Sequence, residues 1–99
     1  MAFKNEYDFD FIENETKKLV VEELGKQLRD EPESTCRCEE CVLDMAARAL
    51  NAIKPFYRVS LMGALYASQA MNDEQYAASV RTAVADSIKK IKTNPGHVF

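Results

Sequence analysis

From about Asp10 the apolar positions recur at three- and four-residue steps. Ile12, Thr16, Leu19, Val20, Leu24 and Leu28 share one face of a helix, and Lys17, Lys18, Glu22 and Lys26 fall on the other. Gly25 costs this helix about 1 kcal/mol relative to alanine, which predicts close approach of a neighbouring helix there. Pro32 disfavours helical geometry just before it, so the helix is expected to stop near Arg29–Asp30. A second helix is expected from about Glu39. Its stripe is Val42, Met45, Ala46, Ala49, Leu50 and Ile53, and Pro55 ends it. Ser60 is placed to cap a short helix over about Leu61–Ala70. Asn72 and Gln75 have the spacing of a reciprocal capping box, with Met71 and Tyr76 as its hydrophobic staple. The last helix then runs to about Lys92, with Tyr76, Val80, Val84, Ile88 and Ile91 along its apolar edge and Asn94-Pro95-Gly96 as its stop. No segment shows the alternation of a strand. The expected fold class is all-α, a small four-helix domain.

Length adds that there is one core. Ninety-nine residues leave too little chain for a second. A layer of such helices buries little apolar surface, and dimerisation is a common remedy. Phe9, Phe11, Phe56 and Phe99, scattered at the edges of the pattern, fit a homodimer. No run approaches the roughly 18 apolar residues of a membrane span, and no apolar stretch follows the N-terminus. The expected location is therefore the cytoplasm, where thiols stay reduced.

Charge divides the chain. Residues 1–44 carry 6 basic and 13 acidic side chains, whereas residues 45–99 carry 7 basic and 3 acidic ones. Two differently solvated faces would account for this, and so would a positive surface in the second half that meets an anion. The net charge of −3 argues against a general nucleic-acid binder.

Two stretches carry chemistry. All three cysteines lie in Thr35-Cys36-Arg37-Cys38-Glu39-Glu40-Cys41, where an acidic loop becomes the second helix. Cys-x-Cys-x-x-Cys is a chelating arrangement for zinc, with the helix dipole and Arg37 as sources of positive charge. A fourth ligand is missing. His97, the only histidine, is the most economical candidate, with a carboxylate or water as substitutes. Three reduced thiols without a metal, or a redox switch, remain the other readings. The second stretch is Lys54–Val59. Lys54 and Arg58 supply cations while Phe56 and Tyr57 supply flat faces, which suits a ligand with phosphates and bases. Packing plus a solvated cation is the plainer account of such a loop. No nucleophile with a positioned base and no Gly-rich phosphate loop is present, so binding rather than catalysis is expected.

The block from Cys36-Arg37-Cys38-Glu39-Glu40-Cys41 through Ala49-Leu50-Asn51 to Pro55-Phe56-Tyr57-Arg58-Val59 resembles the ComFB late-competence family. The resemblance runs on through Gly63-Ala64-Leu65-Tyr66-Ala67 to His97 and covers roughly residues 12–97. It implies a small helical homodimer, with zinc held by the cysteine cluster in some members. It also implies a receptor for a cyclic dinucleotide, c-di-GMP or c-di-AMP, that passes a signal to a downstream protein in competence or motility. Cys36, Cys38 and Cys41 match the metal cluster, and Lys54, Tyr57 and Arg58 fall in the block from which ligand contacts are expected. The chain departs from the family at Pro55-Phe56, where two prolines are usual, and at Ser60-Leu61-Met62, where a more polar run is expected.

Overall fold

The computed structural model describes residues 2–60, 62, 63, 65, 69 and 72–95. Among them the chain forms three α-helices, α1 (Glu15–Arg29), α2 (Glu39–Asn51) and α3 (Glu74–Thr93), and two short strands, β1 (Glu13–Asn14) and β2 (Tyr57–Arg58). Two 3-10 turns, Phe3–Asn5 and Phe9–Phe11, precede β1. The protein is mainly helical, as expected. Most of the helix expected over about Leu61–Ala70 lies outside the described residues, although the Ser60 hydroxyl accepts the Gly63 amide at 3.1 Å in the expected capping role.

Each helix turns its apolar stripe inward. Val20, Leu24 and Leu28 of α1 meet Cys41, Met45 and Ala49 of α2 and Val80, Val84, Ile88 and Ile91 of α3, with Ile53 just beyond α2. Val20, Met45, Ala49 and Val84 are completely buried. Burying a side chain of this size stabilises the fold by roughly 1.5–3 kcal/mol. Ser87 also lies in this interior. Its hydroxyl is satisfied by donating to the Ala83 carbonyl of its own helix at 2.8 Å.

Several local expectations are corrected. Helix α1 starts at Glu15, five residues after the periodicity begins, because the Asn14 side chain caps it by accepting the Thr16 amide at 3.1 Å. Ile12 is consequently left exposed. Glu13 and Asn14 are diverted into an antiparallel pair with Arg58 and Tyr57, so the fold contains a strand pair too short to alternate visibly. Asp73, not Asn72, caps α3: its carboxylate accepts the Gln75 amide at 3.1 Å. That moves the staple positions away from Tyr76, and Met71 lies outside the described residues. Gly25 is exposed, and a Cβ built there meets nothing within 4 Å, so no neighbour approaches it. Among the described residues no helix is long and apolar enough to cross a membrane.

Candidate functional site

The acidic loop between α1 and α2 gathers the three thiols. Cys38 occupies the N-cap of α2, and its sulfur accepts the Cys41 amide at 3.4 Å. Cys41 lies one turn in and points into the core, 1% exposed. Cys36 is half-buried and packs against the same core. The three sulfurs lie within 4.8 Å of one another. Zinc bonded at about 2.3 Å to each of three tetrahedral ligands would hold them about 3.8 Å apart, so a small closure brings this set onto a metal. The donor chemistry and the geometry both fit zinc. His97, the expected fourth ligand, lies outside the described residues.

Two expectations about this cluster change. Helix N-terminal charge does not make Cys41 a ready thiolate. Burial, followed by hydrogen bonds with Cys36 and Cys38, pushes its thiol up to about 12. Arg37 is occupied in another way: its guanidinium donates to the carbonyls of Leu28 (2.6 Å), Glu31 (2.9 Å), Thr35 (3.0 Å) and Pro32 (3.2 Å). It thus ties the loop to the last turn of α1, where free carbonyls collect partial negative charge.

The Lys54–Val59 connector is fixed from beneath by a chain of hydroxyls. Thr16 of α1 is wholly buried. Its Oγ1 accepts the Phe56 amide at 2.9 Å and lies 2.8 Å from the Tyr76 hydroxyl of α3, which donates to the Lys54 carbonyl at 2.9 Å. Tyr76 has one proton and spends it on Lys54, so the Thr16 hydroxyl is the donor to Tyr76. The Phe56 ring packs edge-on against Tyr76, with centroids 5.1 Å apart. The Glu15 amide adds a 2.8 Å bond to the Phe56 carbonyl.

On this base the three candidate ligand residues differ. Tyr57 is 63% exposed, and its ring is presented to solvent. Lys54 is exposed and sits over the Phe56 ring at 5.6 Å. Arg58 is half-buried, and its Nε donates to the Glu15 carboxylate, holding that group below its ordinary range. Among the described residues the only hydrogen bond of the Arg58 guanidinium is the one from Nε. The structure thus brings Lys54, Tyr57 and Arg58 onto one connector, separate from the cysteines. Thr16 and Tyr76, which hold it, were read only as apolar-face residues. Their one sequence signal is a hydroxyl on each at an inward position.

The fold and its two sites thus describe a mainly helical domain with a metal-competent thiol cluster at one helix start and a braced aromatic–basic connector. The sequence model of the late competence development protein ComFB matches residues 13–95, and the chain belongs to the ComFB family. The fold agrees with a solved structure described as the late competence protein ComFB from Bacillus subtilis. That chain is 20% identical, with a TM-score of 0.71 over 88% of this chain and 94% of that one. None of the curated proteins matches the sequence.

Proposed function

We propose that this protein is a non-enzymatic receptor for a cyclic dinucleotide, c-di-GMP or c-di-AMP, working as a cytoplasmic homodimer. The observation that carries the reading is the braced connector, which presents an exposed ring on Tyr57 and cations on Lys54 and Arg58. A two-fold symmetric ligand with two phosphates fits a two-fold interface, where each subunit offers the same cations. Zinc on Cys36, Cys38 and Cys41, with His97 as the fourth ligand, acts in this reading as a staple for the loop before α2. Titration calorimetry with both messengers tests the proposal. Lys54→Ala and Tyr57→Ala are expected to weaken binding by tenfold or more and to leave zinc content unchanged. No heat, and no thermal shift at ligand concentrations of about 100 μM, would refute it, since a 1 μM binder gains about 2.7 kcal/mol there.

A second reading is favoured by the thiol cluster: a zinc-stabilised dimeric interaction module linked to competence or motility. It predicts near-stoichiometric zinc and a lower melting temperature in chelator, with no response to either nucleotide.

A further inference from the structure

Residues 2–12 lie outside the span that matches the family, yet they build an ordered surface. The two 3-10 turns fold this segment so that Phe3, Tyr7 and Phe9 form a triangle of rings. Their centroids are 5.2, 6.0 and 6.4 Å apart. The Asp8 carboxylate fixes the second turn by accepting the Asp10 amide at 3.0 Å. With Phe11, Ile12 and Val59 the rings line a trough of about 520 Å³. None of these large apolar residues is buried: Phe3 is 67% exposed, Phe11 69% and Val59 64%. A contiguous exposed apolar surface of this kind marks an interaction site.

Charge decides what fits it. Asp8 lines the trough with the rings. In sequence Glu6, Asp8 and Asp10 alternate with Tyr7, Phe9 and Phe11, Glu13 follows Ile12, and Lys4 is the only cation among residues 2–12. Among the described residues, Glu6, Asp8 and Asp10 make no ion pair, and Glu13 only approaches Lys18 at 3.7 Å. An isologous contact with a second copy would set these carboxylates against their own equivalents. An anionic lipid surface would be repelled in the same way. Cations flanking apolar anchors would be complementary on both counts. The geometry points to a docking surface for a basic amphipathic helix of another protein, its apolar side chains seated among the rings and its lysines or arginines on the carboxylate rim.

The test uses the full-length protein and a fluorescein-labelled synthetic helix of leucine and lysine, with a leucine–glutamate helix as control. Wild type is expected to bind the first and not the second, with affinity falling as salt is raised. Phe9→Ser, at an exposed ring, and the double charge reversal Glu6→Lys with Asp10→Lys are each expected to weaken binding at least about tenfold while circular dichroism stays unchanged. The charge reversal removes no apolar surface, so it separates recognition from any loosening of the segment. Equal binding of both peptides overturns the proposal, as does affinity unchanged in either variant. So would a finding, by sedimentation or by flotation with phosphatidylglycerol vesicles, that these substitutions abolish self-association or lipid binding and leave peptide binding intact.

Discussion

Replacing Thr16 with valine tests the brace beneath the connector most directly. The two side chains have nearly the same shape, so no cavity opens at this wholly buried position. What is lost is one oxygen serving two partners. The Phe56 amide loses its acceptor at 2.9 Å, and the Tyr76 hydroxyl loses the donor 2.8 Å away. A buried amide left without a partner costs about 1–3 kcal/mol, and the second lost bond adds about 0.5–1.5 kcal/mol. The expected destabilisation is therefore about 1.5–4.5 kcal/mol, or a fall of roughly 6–36 °C in melting temperature for a domain of this size. Tyr76→Phe should cost less, about 1–2 kcal/mol, because the Thr16 hydroxyl can turn to the Lys54 carbonyl 3.5 Å away. The two losses share a bond, so the double variant should be less destabilised than their sum by about 1 kcal/mol. Urea denaturation followed by circular dichroism gives all four free energies. A cost below about 0.5 kcal/mol for Thr16→Val, or strict additivity in the cycle, would show that the hydroxyl chain does not hold the connector.

Three further outcomes are expected. Arg37→Ala removes four bonds from a cation to backbone carbonyls. Discounted for solvent exposure, it should cost about 2–3 kcal/mol in urea unfolding. Arg37→Lys should recover less than half of this, because an ammonium cannot fork across four acceptors; full recovery would mean that charge alone matters. Gly25→Ala should stabilise by about 0.5–1 kcal/mol, since the added methyl meets nothing within 4 Å in an exposed helical position; a loss of stability would contradict the geometry. Glu15 and Glu31 are both held below their ordinary value of 4.5, first by hydrogen bonds to Arg58 and Lys92 respectively. A depressed carboxylate contributes stability that is present above pH 4.5 and is lost as pH falls through the folded-state value. Glu15→Gln and Glu31→Gln should therefore flatten the acid side of the stability curve below pH 4.5, and an unchanged acid slope would refute the pairing.

The helices were legible because their burial is one-sided and regular. Val20, Leu24 and Leu28, then Met45 and Ala49, then Val80, Val84, Ile88 and Ile91 are buried where periodicity put them. What escaped was set by tertiary contact. The β1–β2 pair spans two residues on each side, too few to show a period, and it exists because the connector returns to the start of α1. Ser87 reads as polar but bonds within its own helix and is buried. Asn72 and Asp73 are both good caps, and only the path of the chain decides between them. At the candidate site, the cysteine spacing was enough to foresee that the sulfurs would meet. The Arg37 bonds were not foreseeable, because their acceptors are backbone carbonyls of the preceding helix and loop. Nor was the Arg58–Glu15 pair, whose partners are 43 residues apart in sequence.

These contacts also separate the two candidate sites in what they can influence. The cysteines lie at the start of α2 and the connector lies beyond its end, about 20 Å away for a helix of 13 residues. Cys41, Met45 and Ala49 bury one face of that helix, so it cannot turn without opening the core. The N-terminal platform is different. Glu13 of β1 pairs with Arg58 of β2, the neighbouring Glu15 carboxylate accepts from Arg58, and Ile12 and Val59 both line the aromatic trough. In the proposed receptor, a phosphate drawn to Arg58 approaches the Nη groups beside the Nε–Glu15 pair, where connector and platform meet. In that reading the acidic aromatic surface is the part of the molecule coupled to the ligand site, whereas the thiols lie at the other end of α2.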